Sequence, residues 1–174
     1  ATDSGAAYVY DLDGNLLSTI LNPTPGDYDE FSSTIVVAND RIVIGAHYDD
    51  AGATESGAAY VYDLNGNLIK TINNPTPQFD DFFGSSIAIG DNRIVIGVTG
   101  DDAGATSAGT AYVYDLDGNL LKTINNPAPF SNDYFGAPVA VSNNRIVIGA
   151  VLDDAGATDS GAAYVYDLDG NLLS

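Results

Sequence analysis

Three pairs of adjacent carboxylates, Asp49-Asp50, Asp101-Asp102 and Asp153-Asp154, are each followed by the same four residues, Ala-Gly-Ala-Thr. Carboxylates, loop carbonyls and threonine hydroxyls are hard oxygen donors of the kind calcium and magnesium take. Asp49, Asp50, Asp101, Asp102, Asp153 and Asp154 are therefore candidate metal ligands, and calcium is the one cofactor the pattern suggests. The competing reading gives these side chains a local task, because aspartate and threonine also cap loop N–H groups that lack a strand partner.

A second set of candidates lies in the three segments that differ most from one another: Gly26-Asp27-Tyr28-Asp29-Glu30, Gln78-Phe79-Asp80-Asp81-Phe82 and Phe130-Ser131-Asn132-Asp133-Tyr134. Each sets an aromatic ring among acids. Tyr28, Phe79, Phe130 and Tyr134 are candidate interaction residues, able to stack on a sugar or clasp a basic peptide. The alternative is that the rings pin each segment to the body of the protein. For catalysis the inventory is thin. The single histidine, His47, has Thr99 and Val151 as counterparts, so a general base would exist in only one of three near-copies. Nothing marks one serine as a nucleophile, and the many carboxylates could form a glycosidase-like pair by chance. The chain is expected not to be an enzyme.

These candidates recur because the whole chain does, at intervals of 52 residues, and Ala157–Ser174 is identical to Ala1–Ser18. A period near 50 marks a propeller, a solenoid or an array of one supersecondary unit. Between Phe83 and Phe135 the unit holds four short apolar runs: Phe83–Ile89, Arg93–Val98, Ala111–Leu116 and Asn119–Ile124. They are rich in Val, Ile and Tyr and bounded by Gly, Asn and Asp, which is strand chemistry. Pro127 and Pro129 break the chain after the fourth. Ile94, Val95 and Ile96 are apolar in succession, as a strand buried on both faces requires.

Four consecutive antiparallel strands per repeat describe a propeller blade, whereas solenoid coils are usually shorter. The expected fold is all-β: a β-propeller of four-stranded antiparallel blades with a 52-residue repeat, present about three and a third times. Residues 1–174 form one repeat domain. Residues 1–30 supply the third and fourth strands of a blade plus a linker, 31–82 and 83–134 are complete blades, and 135–174 are a blade with a truncated fourth strand. Known propellers need at least about four blades to close a ring. The chain is thus expected to be a partial propeller, part of a longer array, or an assembling unit. The duplicated ends also make strand exchange between chains a plausible linkage.

An up-and-down blade assigns each turn to a face. Arg41, Arg93 and Arg145 share one face with the turn residues Asp11, Asp13, Asp63, Asp115, Asp117, Asp167 and Asp169, and an Arg of each complete blade is expected to pair with a neighbouring turn Asp. The Asp-Leu-Asp-Gly-Asn turns read as glycine-assisted hairpins, because Leu16 and Leu120 begin strands where a calcium loop would need ligands. The Asp pairs and the aromatic linkers lie on the opposite face.

Five basic residues stand against 24 acidic ones, a net charge of −19. That balance argues against nucleic acid, whose phosphates need Lys and Arg, and suits cations or a basic partner. No apolar run approaches the ~20 residues of a membrane-crossing helix, so no membrane insertion is expected. The absence of cysteine excludes disulfides and thiolate metal sites. With no methionine present, a processed product or a slice of a longer protein is expected.

Phe83-Gly84, Gly97-Val98 and Gly109-Thr110-Ala111-Tyr112-Val113-Tyr114 recur as Phe135-Gly136, Gly149-Ala150 and Gly161–Tyr166, and with one change as Phe31-Ser32, Gly45-Ala46 and Gly57–Tyr62. This pattern, spanning the whole chain, resembles the FG-GAP repeat of the integrin alpha-chain propeller and its bacterial relatives. The resemblance implies a propeller of the type found in extracellular adhesion and recognition proteins. Two departures stand out. His47, Thr99 and Val151 replace the proline of the family's Gly-Ala-Pro. The first-to-second connections, such as Gly90-Asp91-Asn92-Arg93, are too short to wrap the 6–8 oxygen ligands of calcium, so the family's usual metal site does not carry over. The function expected is an extracellular or cell-surface structural or adhesion module whose repeated acidic loops serve protein–protein interaction or self-assembly. Its partners would be itself, as a homo-oligomer, ring or fibre, or other surface proteins and glycans. A calcium-dependent or lectin-like ligand-binding propeller is the alternative.

Overall fold

A computed structural model describes all of residues 1–174, which form thirteen strands and no helix. β1 (Ala6–Tyr10) and β2 (Leu16–Leu21) make a two-stranded hairpin. β3 (Thr34–Ala38), β4 (Arg41–Ala46), β5 (Ala58–Tyr62) and β6 (Leu68–Asn73) make a four-stranded sheet, and β7 (Ser86–Gly90), β8 (Arg93–Val98), β9 (Thr110–Tyr114) and β10 (Leu120–Asn125) make another. β11 (Phe135–Ser142), β12 (Arg145–Ala150) and β13 (Ala162–Tyr166) form a three-stranded sheet. All neighbours are antiparallel and consecutive in the chain. This is the expected four-stranded blade, repeated as a partial propeller. No helix is long and apolar enough to cross a membrane.

Register is the same in every blade. Ile44 faces Tyr60, Ile96 faces Tyr112 and Ile148 faces Tyr164. The second strands are buried on both faces: Ile42, Val43 and Ile44 in β4, and Ile94, Val95 and Ile96 in β8. The outer strands β6 and β10 bury only Ile72 and Ile124, and their lysines Lys70 and Lys122 stand in solvent. Apolar content therefore declines from the middle of each blade to its outer edge, as expected for sheets stacked around an axis.

Blades meet through their cores. Val43, Ala59 and Val61 of one sheet pack with Phe83, Ile87, Ile94 and Ile96 of the next. Val95, Ala111 and Val113 pack in the same way with Phe135, Val139, Ile146 and Ile148. Burying each of these valine, isoleucine and phenylalanine side chains contributes about 1.5–3 kcal/mol. Phe83 donates its N–H to the Ser56 carbonyl at 3.0 Å, and Phe135 its own to Ala108 at 3.0 Å. Phe83 lies in the turn that precedes β7, which begins at Ser86 rather than at Phe83 as the apolar run suggests, whereas β11 begins at Phe135 itself.

The Asp-Leu-Asn/Asp-Gly-Asn segments are hairpin caps. Asp63 Oδ1 accepts the N–H groups of Asn65 and Asn67, both at 2.9 Å, while Oδ2 accepts Asn67 Nδ2 at 2.8 Å. The same set recurs at Asp11, Asp115 and Asp167. The expected Arg–Asp pairs form only in part. Arg41 Nη2 lies 3.3 Å from Asp117 Oδ1, bridging to the next blade, and Arg41 Nε donates to the Leu116 carbonyl. Arg93, in the other complete blade, has no such ion pair; its Nε is buried without a hydrogen-bond partner, and nothing in the structure explains the difference.

Candidate functional site

Each Asp pair is divided between two tasks. Asp49, Asp101 and Asp153 are buried beneath the second-to-third loop, while Asp50, Asp102 and Asp154 are exposed on top of it. The buried member caps the loop from inside: Asp49 Oδ1 accepts Ala51 N–H at 2.9 Å, and Asp101 and Asp153 repeat this with Ala103 and Ala155. The exposed member caps it from outside, with Asp50, Asp102 and Asp154 accepting the N–H groups of Glu55, Ser107 and Asp159. No group of three or more His, Asp or Glu side chains converges as a cation would require. One oxygen of each exposed carboxylate is left without a partner in the chain.

Below the loop, Asp49 Oδ2 accepts the Tyr60 hydroxyl at 2.7 Å, and Thr24 Oγ1 lies 2.6 Å from that hydroxyl. Burial raises the Asp49 carboxyl above its ordinary value, opposed by the Tyr60 hydrogen bond, and burial also raises the Tyr60 phenol, so the proton stays on the tyrosine. In the next blade Thr76 Oγ1 lies 2.8 Å from the Tyr112 hydroxyl and itself donates to Asp101 Oδ2 at 3.4 Å, in place of the direct tyrosine–aspartate bond. In the following one Tyr164 donates to Asp153 at 2.7 Å, as Tyr60 does to Asp49, but Ala128 stands where the threonine was.

The linkers are latched by a buried pair that the sequence reading passed over. Asn22 Nδ2 donates to Asp29, Asn74 Nδ2 to Asp81 and Asn126 Nδ2 to Asp133, each at 2.7 Å. The same carboxylate oxygens accept the N–H groups of Gly26, Gln78 and Phe130. Asn and Asp seven residues apart at every repeat was the available signal. Asp81 differs from its counterparts in one respect: its Oδ1 is buried with no partner, and burial pushes its carboxyl up to about 6. With the linkers latched from beneath, the rings of Tyr28, Phe79 and Phe130 stand in solvent, each more than 60% exposed. Tyr134 is half-buried, and its N–H is bonded to the Ser107 carbonyl.

These parts enclose a polar pocket in each complete blade. One, of about 390 Å³, is lined by Thr24, Asp29, Asp49, Asp50, Thr71 and Asn73. The other, of about 370 Å³, is lined by Thr76, Gln78, Asp101, Asp102, Thr123 and Asn125. Asp50 with Asp102, Thr71 with Thr123 and Asn73 with Asn125 are equivalent by the repeat. They offer the second oxygen of each carboxylate, with hydroxyl and amide groups that have no side-chain partner in the chain.

His47 gathers two further residues. Ser33 Oγ lies 2.8 Å from its Nδ1, and Glu30 lies 3.9 Å from its Nε2. The second distance exceeds a hydrogen bond. The ring is tilted against Tyr48, and burial lowers its pKa while Glu30 opposes the shift.

A family model described as the FG-GAP repeat matches the chain at residues 20–62, 77–114 and 130–166, more than half of its length. No curated protein matches the chain.

Proposed function

The chain belongs to the FG-GAP repeat family, and from that premise we propose that it is an extracellular adhesion and recognition module, not an enzyme, that grips basic protein segments through its repeated rim pockets. The repeats themselves suggest a module for protein interaction. The observation that carries the finer reading is the recurrence, in successive blades, of one pocket with the same free groups: Asp50, Thr71 and Asn73, then Asp102, Thr123 and Asn125. A lysine or arginine side chain finds there a carboxylate oxygen with no internal partner, flanked by hydroxyl and amide acceptors. Exposed ion pairs are individually weak. Two equivalent sites on one rigid scaffold convert weak contacts into avidity, and the charge of −19 steers basic partners toward them.

The test is binding of the chain to a surface-bound Lys/Arg-rich peptide over a range of salt. Binding that weakens with salt, falls with Asp50→Asn or Asp102→Asn, and falls further with both supports the proposal. Binding indifferent to both substitutions overturns it.

A calcium-dependent or lectin-like reading is favoured by one feature, the exposed rings of Tyr28 and Phe79 on linkers of the same face as these pockets. Saturable glycan binding that requires calcium, with a chelator-sensitive melting temperature, would promote it over the basic-peptide reading.

A further inference from the structure

The two rim pockets share their mouths but not their floors. In the pocket of blade 31–82, the linker contributes Gly26 and Asp29 to the wall. The pocket of blade 83–134 has Gln78 in place of Gly26, and Asp81, the counterpart of Asp29, is not part of its wall. Gly26 leaves the first floor open: a Cβ at that position would stand 2.6 Å from Asp29 Oδ1. With no side chain there, that oxygen faces the pocket. In the other blade, Asp81 Oδ1 is buried without a partner.

Asp29 is 3% exposed. Its Oδ2 accepts Asn22 Nδ2 and the Gly26 N–H, while its Oδ1 accepts nothing. Asp49, 5% exposed, stands near it. Burial raises the Asp49 carboxyl against the Tyr60 hydrogen bond, and the charge of Asp29 adds to the rise. Asp50 supplies a third carboxylate at the mouth, and no Lys, Arg or His lines the pocket. Two buried carboxylates side by side without a cation are costly to hold charged. A positive group in the pocket relieves that cost.

The kind of cation follows from which oxygens are free. Asp29 offers Oδ1 alone, and Asp50 offers Oδ2 alone, since its Oδ1 holds the Glu55 N–H. Asp49 Oδ1 is taken by the Ala51 N–H, and its Oδ2 already accepts the Tyr60 hydroxyl. No carboxylate presents both oxygens to one guest. A guanidinium binds best to such a pair, through two parallel hydrogen bonds. An ammonium is a compact charge whose three donors can point at separate residues. Asp29 Oδ1, Asp50 Oδ2 and the side-chain oxygens of Thr71 and Asn73 supply its acceptors. We propose that this pocket is a lysine site, selecting a primary ammonium over a guanidinium, with Gly26 the residue that opens it onto Asp29. The proposal rests on the basic-segment reading and deepens it, because the pocket where Gln78 stands makes no such choice.

Three surface-bound peptides, alike except at their basic positions, test it. One carries lysine, one arginine and one trimethyllysine, which keeps the charge but has no N–H to donate. The parent chain should hold the lysine peptide about tenfold more tightly than either of the others, the size of one hydrogen bond to a charged group. Gly26→Ala, whose methyl group covers Asp29 Oδ1, should bring lysine binding down to the arginine level and leave arginine binding unchanged. Gly26→Gln should do the same, and it copies the residue that the next blade carries at this position. Far-ultraviolet circular dichroism matching the parent identifies the variants as folded, and the comparison of peptides on the parent needs no variant. Lysine bound no better than arginine or trimethyllysine, or a lysine preference that survives both substitutions, overturns the lysine site and leaves the basic-segment reading standing. Binding of none of the three peptides overturns both.

Discussion

Gly97 of β8 lies directly against the backbone carbonyl of Gly136 in the next blade, leaving no room for a side chain between them. Gly45 stands in the same relation to Gly84 one repeat earlier. The requirement is the close approach of two backbones. Because the obstructing atom is a carbonyl oxygen, the junction can admit a methyl group only by moving a whole blade. Gly97→Ala and Gly45→Ala should each destabilise the chain by about 1–3 kcal/mol, the range for overpacking a tight interior. Urea unfolding measures this, and an unchanged midpoint would show that the blades are not seated as described.

The Asn–Asp latch under each linker is a buried hydrogen bond to a charge. Asn126→Leu removes the donor and leaves Asp133, 1% exposed, with only the Phe130 N–H. A loss of about 1.5–3 kcal/mol is expected from a hydrogen bond to a charged group. Proteolysis should then begin in residues 126–134, where the linker has lost its anchor; cleavage elsewhere at the same rate as in the parent would count against the latch.

Asp81 gives the protein a stability term that grows with acidity. Its folded value, about 6, lies above the ~3.9 of an unfolded aspartate. Between those values the folded state holds a proton the unfolded state has released, so this contribution is complete below about pH 4 and is lost as pH rises through 6. The turn carboxylates act in the opposite sense. Hydrogen bonds from their asparagines, Asn67 for Asp63 and Asn171 for Asp167, hold them below the usual range, so their contribution is lost only as pH falls through those depressed values. Asp81→Asn should melt above the parent at pH 7, with the difference shrinking toward pH 4. A pH-independent difference would remove Asp81 from the account.

The Arg41–Asp117 bridge is a surface pair, with the carboxylate 71% exposed. Asp117→Asn should cost under about 1 kcal/mol and less in high salt. A larger, salt-insensitive loss would mean that the contact across the blades is structural.

Strand number and order were legible because Tyr112 and Tyr114, with Ile94 and Ile96, alternate or run in patterns that stacked sheets satisfy, whereas the register became visible only in the structure. The hairpin caps were legible for the same local reason: Asp63 and Asn67 are four residues apart and meet within one turn. The rim pocket was only half legible. The Asp pairs announced themselves, but Asp49 and Asp50 have opposite burial, and adjacency in sequence does not show which member turns inward. Thr24 and Tyr60, 36 residues apart, meet only through the stacking of linker on blade. The Ser33–His47 contact escaped notice because it belongs to a single repeat, and periodicity reveals only what recurs.

Each complete blade is entered at its first strand and left at its fourth, on opposite edges of the sheet. A pull on the two ends of the chain therefore loads the hydrogen bonds of β3 through β6 one rung at a time, in peeling rather than in shear. Such a blade yields at low force and lengthens greatly, and its neighbour, with the same strand order, yields next. Under tension the molecule would behave as an extensible tether whose blades open one after another.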